Sequence, residues 1–150
     1  SLTKLSEFSK DFNINVIVEN HGSLSSNAEL LMQVINNVNL KNCGTLPDFG
    51  NFCIKRAEGD LYESDCVKEY DRYKGIKEMM PKAFAVSAKS NSFNNKGDEV
   101  YTDYLKMLKI VKESGYNGYI GVEYEGTGLS EIDGILATKN LLINKGKLIS

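Results

Sequence analysis

Apolar residues recur along this chain with two periods, and the two alternate. Four short runs are dense in β-branched and small apolar residues: Asn15–Glu19, Cys43–Asp48, Phe84–Lys89 and Tyr119–Tyr124. Each reads as a strand. Between them apolar residues return every three or four positions, the spacing of one helix face. Leu30, Leu31, Val34, Ile35 and Val38 make one stripe. Tyr101, Tyr104, Leu105, Leu108 and Val111 make a second, which stops at Gly115 as a helix C-terminus should. Ile132, Ile135, Leu136 and Leu142 mark a last helix, and Leu2, Leu5, Phe8 and Phe12 an opening one. A weaker stripe (Val67, Tyr70, Tyr73, Ile76, Met80) must break at Pro81. Ser26 with Glu29, and Ser130 with Asp133, have capping-box spacing at two helix starts.

The predicted order is α(βα)4 within one domain over residues 1–150, with no linker rich in Pro, Ser or charge. Alternating strands and helices place the chain in the α/β class, with a parallel sheet covered by helices. Two architectures fit: a small open doubly wound sheet, or part of a (βα)8 barrel. A complete barrel needs eight strands and about 200 or more residues. Four strands supply half of one, and a helix with no strand before it reads as a chain entering mid-fold. Half a barrel leaves two open sheet edges, so this reading expects a fragment, a homo-oligomer, or a missing N-terminal half that covers them.

Side-chain parity locates the candidate chemistry. Successive strand residues point to opposite faces, so each run splits into two sets. One set is largely apolar. The other ends in charge near the strand's C-terminal end: Glu19, Asp48, Lys89 and Glu123. In parallel α/β folds the functional site lies beyond those ends. Three carboxylates and one ammonium converging there suit a hard divalent cation bound through oxygens. The plain alternative is four solvated charges where strands meet water, which is harder to reconcile with a shared parity. His21, the sole histidine, follows Glu19 by two residues and is a candidate substrate contact or ligand, set against an ordinary surface role. Asn20 and Asn51 occupy equivalent loop positions, where they would bond a polyol or simply form turns. Gly126-Thr127-Gly128 offers a weak anion-binding loop before the last helix. Asp60, Glu63 and Asp65 read as a solvated connection.

Composition narrows the function. With 150 residues, 41% of them hydrophobic and 25% charged, the chain is globular in character. Eighteen basic against twenty acidic residues leave a net charge of −2, which disfavours a nucleic-acid binder. No apolar run approaches the ~20 residues of a membrane span, and no secretory signal opens the chain. Cys43, Cys53 and Cys66 lack metal-finger spacing and are read as reduced thiols of a cytoplasmic protein.

Several of these segments resemble a known family. Val16-Ile17-Val18-Glu19-Asn20-His21-Gly22 and Pro47-Asp48-Phe49-Gly50-Asn51-Phe52 look like the fifth and sixth strands of the xylose-isomerase-like sugar phosphate isomerase/epimerase family. Val86-Ser87-Ala88-Lys89-Ser90 resembles its seventh, and Tyr104 to Gly126 its eighth unit. The resemblance covers nearly the whole chain but only the C-terminal half of that TIM barrel. It implies a bound Mn²⁺, Mg²⁺ or Zn²⁺ held by Glu19, Asp48 and Glu123. The family's histidine ligand is replaced by Ser87, and a second usual histidine by Asn51. It also implies a sugar or sugar phosphate as substrate, contacted by Asn20, His21, Asn51 and Lys89. Glu19 and Glu123 would exchange a proton with the substrate through an enediolate, as general base and acid.

Two other readings stand beside this one. A half barrel with an incomplete ligand set fits a non-catalytic binding or assembly unit, or an inactive fragment. A nuclease on the same barrel plan would use several metal-binding histidines, and this chain has one.

Overall fold

The computed structural model describes residues 1–59 and 64–149. Helix α1 (Leu2–Lys10) leads into strand β1 (Val16–Glu19), helix α2 (Ala28–Val38) and strand β2 (Cys43–Leu46). A hairpin of β3 (Cys53–Arg56) and β4 (Cys66–Glu69) follows. Then come α3 (Arg72–Met79), β5 (Val86–Ser90), α4 (Tyr104–Glu113), β6 (Ile120–Tyr124) and α5 (Glu131–Lys147).

β1 pairs in parallel with β2, Val16 opposite Cys43, and β5 in parallel with β6, Val86 opposite Ile120. Three backbone bonds join the pairs: Phe84 N–H to Thr45 O, Ser87 N–H to Pro47 O, and Phe49 N–H to Ser87 O. The parallel strands therefore stand in chain order, β1-β2-β5-β6, as neighbours in a barrel wall do. A doubly wound sheet reverses its strand order at a switch point. No reversal occurs here, and the fold is half of a TIM barrel with no closure among the described residues.

One side of this wall is packed by helices. Ala28, Leu31 and Ile35 of α2, Ile76 and Met79 of α3, and Met107 and Val111 of α4 are buried against Val86, Ala88, Phe49 and Phe52. The Phe49 ring meets Tyr104 edge-on at 5.6 Å. Burying each such side chain is worth about 1.5–3 kcal/mol, and it anchors the strands whose far ends carry the acidic residues.

The structure departs from the sequence reading in four places. Asn27, not Ser26, caps α2, its side chain accepting from Leu30 N–H. Ser26 ends a short 3₁₀ turn and donates instead to Asn51 O. Val67 and Tyr70 precede α3, which starts at Arg72 behind an Asp71 cap. Val67 lies in β4, part of a hairpin that the α(βα)4 order did not contain. Third, Cys53 and Cys66 are joined in a disulfide across that hairpin, which corrects the expectation of reduced thiols, while Cys43 is free and buried. Disulfides are rare in reducing compartments, so the cysteines no longer support a cytoplasmic location. Fourth, several apolar stripes face outward: Leu5, Phe8 and Phe12 of the first segment, and Ile132, Ile135 and Leu136 of α5, are exposed. Asp60 and Glu63 lie outside the described residues; Asp65 is exposed, as expected. No helix among the described residues is long and apolar enough to cross a membrane.

Candidate functional site

Glu19 ends β1, Asp48 follows β2, Lys89 lies near the end of β5, and Glu123 faces Lys89 in register on β6. The parity that predicted a shared face is realised. Glu19, Asp48 and Glu123 each offer a carboxylate oxygen within 4.8 Å of the others.

Asp48 is the deepest of the three and has no exposed surface. Its Oδ1 accepts from the backbone N–H groups of Gly50 and Asn51, at 2.9 Å each. Its Oδ2 is buried without a hydrogen-bond partner. Burial pushes its carboxyl up to about 7, against the opposing pull of the Lys89 ammonium and the Gly50 backbone N–H. Glu123 behaves oppositely. Burial raises its pKa, but the Ser87 hydroxyl, donating to Oε2 at 2.6 Å, and Lys89 outweigh that and hold it below the usual carboxylate range.

The Lys89 stem is buried, and its Nζ lies 3.2 Å from Glu123, 2.9 Å from Glu125 and 3.0 Å from Asn51 Oδ1. Burial alone would lower its pKa; Glu125, Asp48 and Glu123 together hold it above the ordinary lysine value. It is therefore a fixed positive charge at neutral pH, not a proton acceptor. The stem passes Gly50, where a Cβ would come within 2.9 Å of Lys89 Cδ. Asn51 links the two sides of the site, since its amide also donates to Glu19 Oε1 at 3.2 Å.

Asn20, expected to meet substrate, is buried and already used. Its amide donates to Asp48 O and Asn51 O, and its carbonyl accepts from Asp48 N–H at 2.7 Å. It ties the Asp48 turn to the end of β1. His21 is exposed, and its backbone N–H donates to Ser25 Oγ. It is not one of the residues grouped with the three carboxylates. Gly126 is needed for a close approach, since a Cβ there would strike Asn91 O, and nothing else marks its loop as an anion site. Glu125 and the Ser87 hydroxyl are the site members the sequence reading left without a role. Glu125 follows Glu123 by two residues and so shares its strand face, which was the available signal.

The residues present fit a divalent cation. Three carboxylates bring an oxygen each within 4.8 Å of the others, and the Lys89 ammonium beside them is divided between Glu123 and Glu125. A buried carboxylate oxygen with no donor costs folding energy that a bound cation would offset.

A family model describing the xylose isomerase-like TIM barrel matches residues 1–144. Among solved structures, the chain is similar to that of the IolI protein with a binding zinc atom, at 20% identity and a TM-score of 0.65. The match covers 96% of this chain and 53% of that one, so this chain spans about half its length. At that identity the likeness shows the fold alone. A search of curated proteins found no match. The parallel half-barrel wall and the family match over residues 1–144 agree, and the chain belongs to the xylose isomerase-like TIM barrel family.

Proposed function

We propose that this chain carries the metal and acid–base half of a divalent-metal-dependent sugar or sugar-phosphate isomerase or epimerase. The observation that carries the reading is the meeting of Glu19, Asp48 and Glu123 around the partnerless Asp48 Oδ2. Glu19, Asp48 and Glu123 would hold the cation, which when bound supplies Lewis-acid polarisation of the substrate carbonyl.

The chain's own residues account for the remaining chemistry. Glu19 and Glu123 come from the two outer strands of the wall, β1 and β6, and would face a substrate carbon from opposite sides. One takes the proton as general base and the other returns it as general acid. Lys89 stays protonated and sets positive charge against the oxyanion of an enediolate. Asn51, held between Glu19 and Lys89, would meet a substrate hydroxyl. Mn²⁺, Mg²⁺ and Zn²⁺ are the cations considered, and the zinc in IolI is a reason to keep the last.

The test is proton exchange in ²H₂O with Mn²⁺, run over a panel of ketoses, aldoses and their phosphates. Metal-dependent deuterium uptake at the carbon beside the carbonyl is the expected result, with Glu123→Gln lowering it by about 10²-fold or more. Full exchange in that variant would remove Glu123 from the mechanism.

A second reading, a non-catalytic binding or assembly unit, is favoured by one observation. The wall does not close among the described residues, so one side of any substrate pocket must come from elsewhere. Saturable metal binding without exchange on any sugar would support it.

A further inference from the structure

The hairpin of β3 and β4 is weakly held by its own pairing. Its ladder is interrupted by two irregularities of register and sets Lys55 directly opposite Lys68. Like charges that face each other across strands weaken a hairpin, and a two-stranded hairpin is marginal even without them. β4 is exposed at all four positions and adds little apolar burial. Beyond the ladder stand the bond from Ala57 N–H to Asp65 O and the covalent closure between Cys53 and Cys66. The covalent bond is therefore the strongest tie between the two strands.

This hairpin is joined to the site. Cys53 follows Asn51 by two residues, and between them the Phe52 carbonyl accepts from Tyr70 N–H at the hairpin's base. β3 also packs against the 3₁₀ turn Ser23–Ser26. That turn holds two loops at once: Ser25 Oγ accepts from His21 N–H, and Ser26 donates to Asn51 O at 2.8 Å. Asn51 in turn bridges Glu19 and Lys89. β3 thus stands between the disulfide and the loops of His21 and Asn51. The Phe52 ring, buried against Gly75 of α3, ties the same segment to the core, so a change here stays local.

We propose that the Cys53–Cys66 disulfide is a redox switch that sets the order of the hairpin and, through β3, of the loops carrying His21 and Asn51. The inference goes beyond the metal and acid–base reading and does not depend on it. Cys66 is exposed and Cys53 half-buried, and exposed disulfides are the ones that thiols reach. The co-reactant is a dithiol. One of its thiolates attacks Cys66 Sγ, and the S–S bond breaks with its electron pair leaving on Cys53 Sγ, which takes up a proton. The dithiol's second thiolate then displaces Cys66 from the mixed disulfide, Cys66 Sγ takes up a proton, and the dithiol leaves as its own disulfide. Two electrons and two protons pass to the chain. With the bond open, the opposed lysines part and β3 loses its partner.

Hydrogen exchange followed by mass spectrometry, on the whole chain oxidised, reduced with dithiothreitol and reoxidised, tests this. Alkylation is expected to find two new thiols in the reduced, folded chain, with Cys43 still protected by burial. Exchange should speed up by about tenfold or more in β3, in β4 and at residues 21–27, stay unchanged in α4, and recover on reoxidation. Cys53→Ser combined with Cys66→Ser should reproduce the reduced pattern without any reductant, which ties the effect to this bond. Acceleration confined to β3 and β4, with residues 21–27 unaltered, would overturn the inference. So would α4 exchanging faster in step with the hairpin, since the bond would then be a brace for the whole fold. A bond that dithiothreitol leaves intact in the folded chain would overturn it as well. None of these results touches the cation site, which metal titration tests separately.

Discussion

Asp48 carries a cost that the fold does not recover by itself. In the unfolded chain its carboxyl ionises at the ordinary value of 3.8, whereas burial holds the folded group to about 7. A raised folded value means that the native state binds the extra proton between those limits. Stability of the metal-free chain is therefore expected to fall as pH rises from about 4 to about 7, to the extent that Asp48 governs it. Urea titrations at spaced pH values check this, and a flat or rising profile through the window would contradict it. Asp48→Asn separates cost from use: it is expected to stabilise the metal-free chain at pH 8 while abolishing metal binding, because the buried charge goes and a ligand goes with it. Asn20→Ala should have the opposite signature. Two buried and one partly buried hydrogen bond to the Asp48 turn are lost, so unfolding free energy should drop by about 2–3 kcal/mol. Retention of full stability would mean that the turn is held by other contacts. Residue chemistry was legible where parity applied. Strand alternation is strict, so Glu19, Asp48, Lys89 and Glu123 could be gathered from spacing alone. The buried bonds of Asn20 were not legible because a buried, fully bonded asparagine and a turn-forming one look alike in sequence.

At the scale of elements, the hairpin of β3 and β4 was the least legible part. Its strands are short and rich in charge, and the pairing of Cys53 with Cys66 cannot be told from spacing. The disulfide spans 13 residues of separation, which in the chain-entropy account removes roughly 3 kcal/mol of unfolded-state freedom. Reduction, or paired Cys53→Ser and Cys66→Ser changes, should lower the melting temperature measurably; an unchanged melt would show that the hairpin folds independently of the half barrel. The helices were legible in period but not in partner. An apolar stripe says which face avoids water, not whether anything covers it. α2 turns Leu31 and Ile35 inward yet leaves Leu30 and Val34 exposed. In α5 the buried positions are Gly134, Thr138 and Leu141. Gly134 is required there, since a Cβ would fall within 2.1 Å of the Tyr124 ring at the end of β6.

Across the whole molecule, four parallel strands in chain order make a wall that the described residues do not close. Exposed apolar residues stand at both of its ends: Phe8 and Phe12 beside Val16 and Ile17 of β1, and Tyr119 and Val122 just before and on β6. Edges of this kind are normally covered or paired. Purified alone, the chain is expected to self-associate with rising concentration, as light scattering after size exclusion would show; a monomer at all concentrations would mean that the edges need no cover. The half-barrel origin was legible from the strand count and family resemblance together, while the strand order came only from the backbone bonds between β2 and β5. The central claim is that Glu19, Asp48 and Glu123 form one cation site even in this half barrel. Calorimetric titration with Mn²⁺ near neutral pH tests it most directly. Saturable micromolar binding to the unaltered chain, lost in Glu19→Gln and in Glu123→Gln, is the expected result. Binding that survives both changes, or no saturable heat from the folded chain, would contradict it.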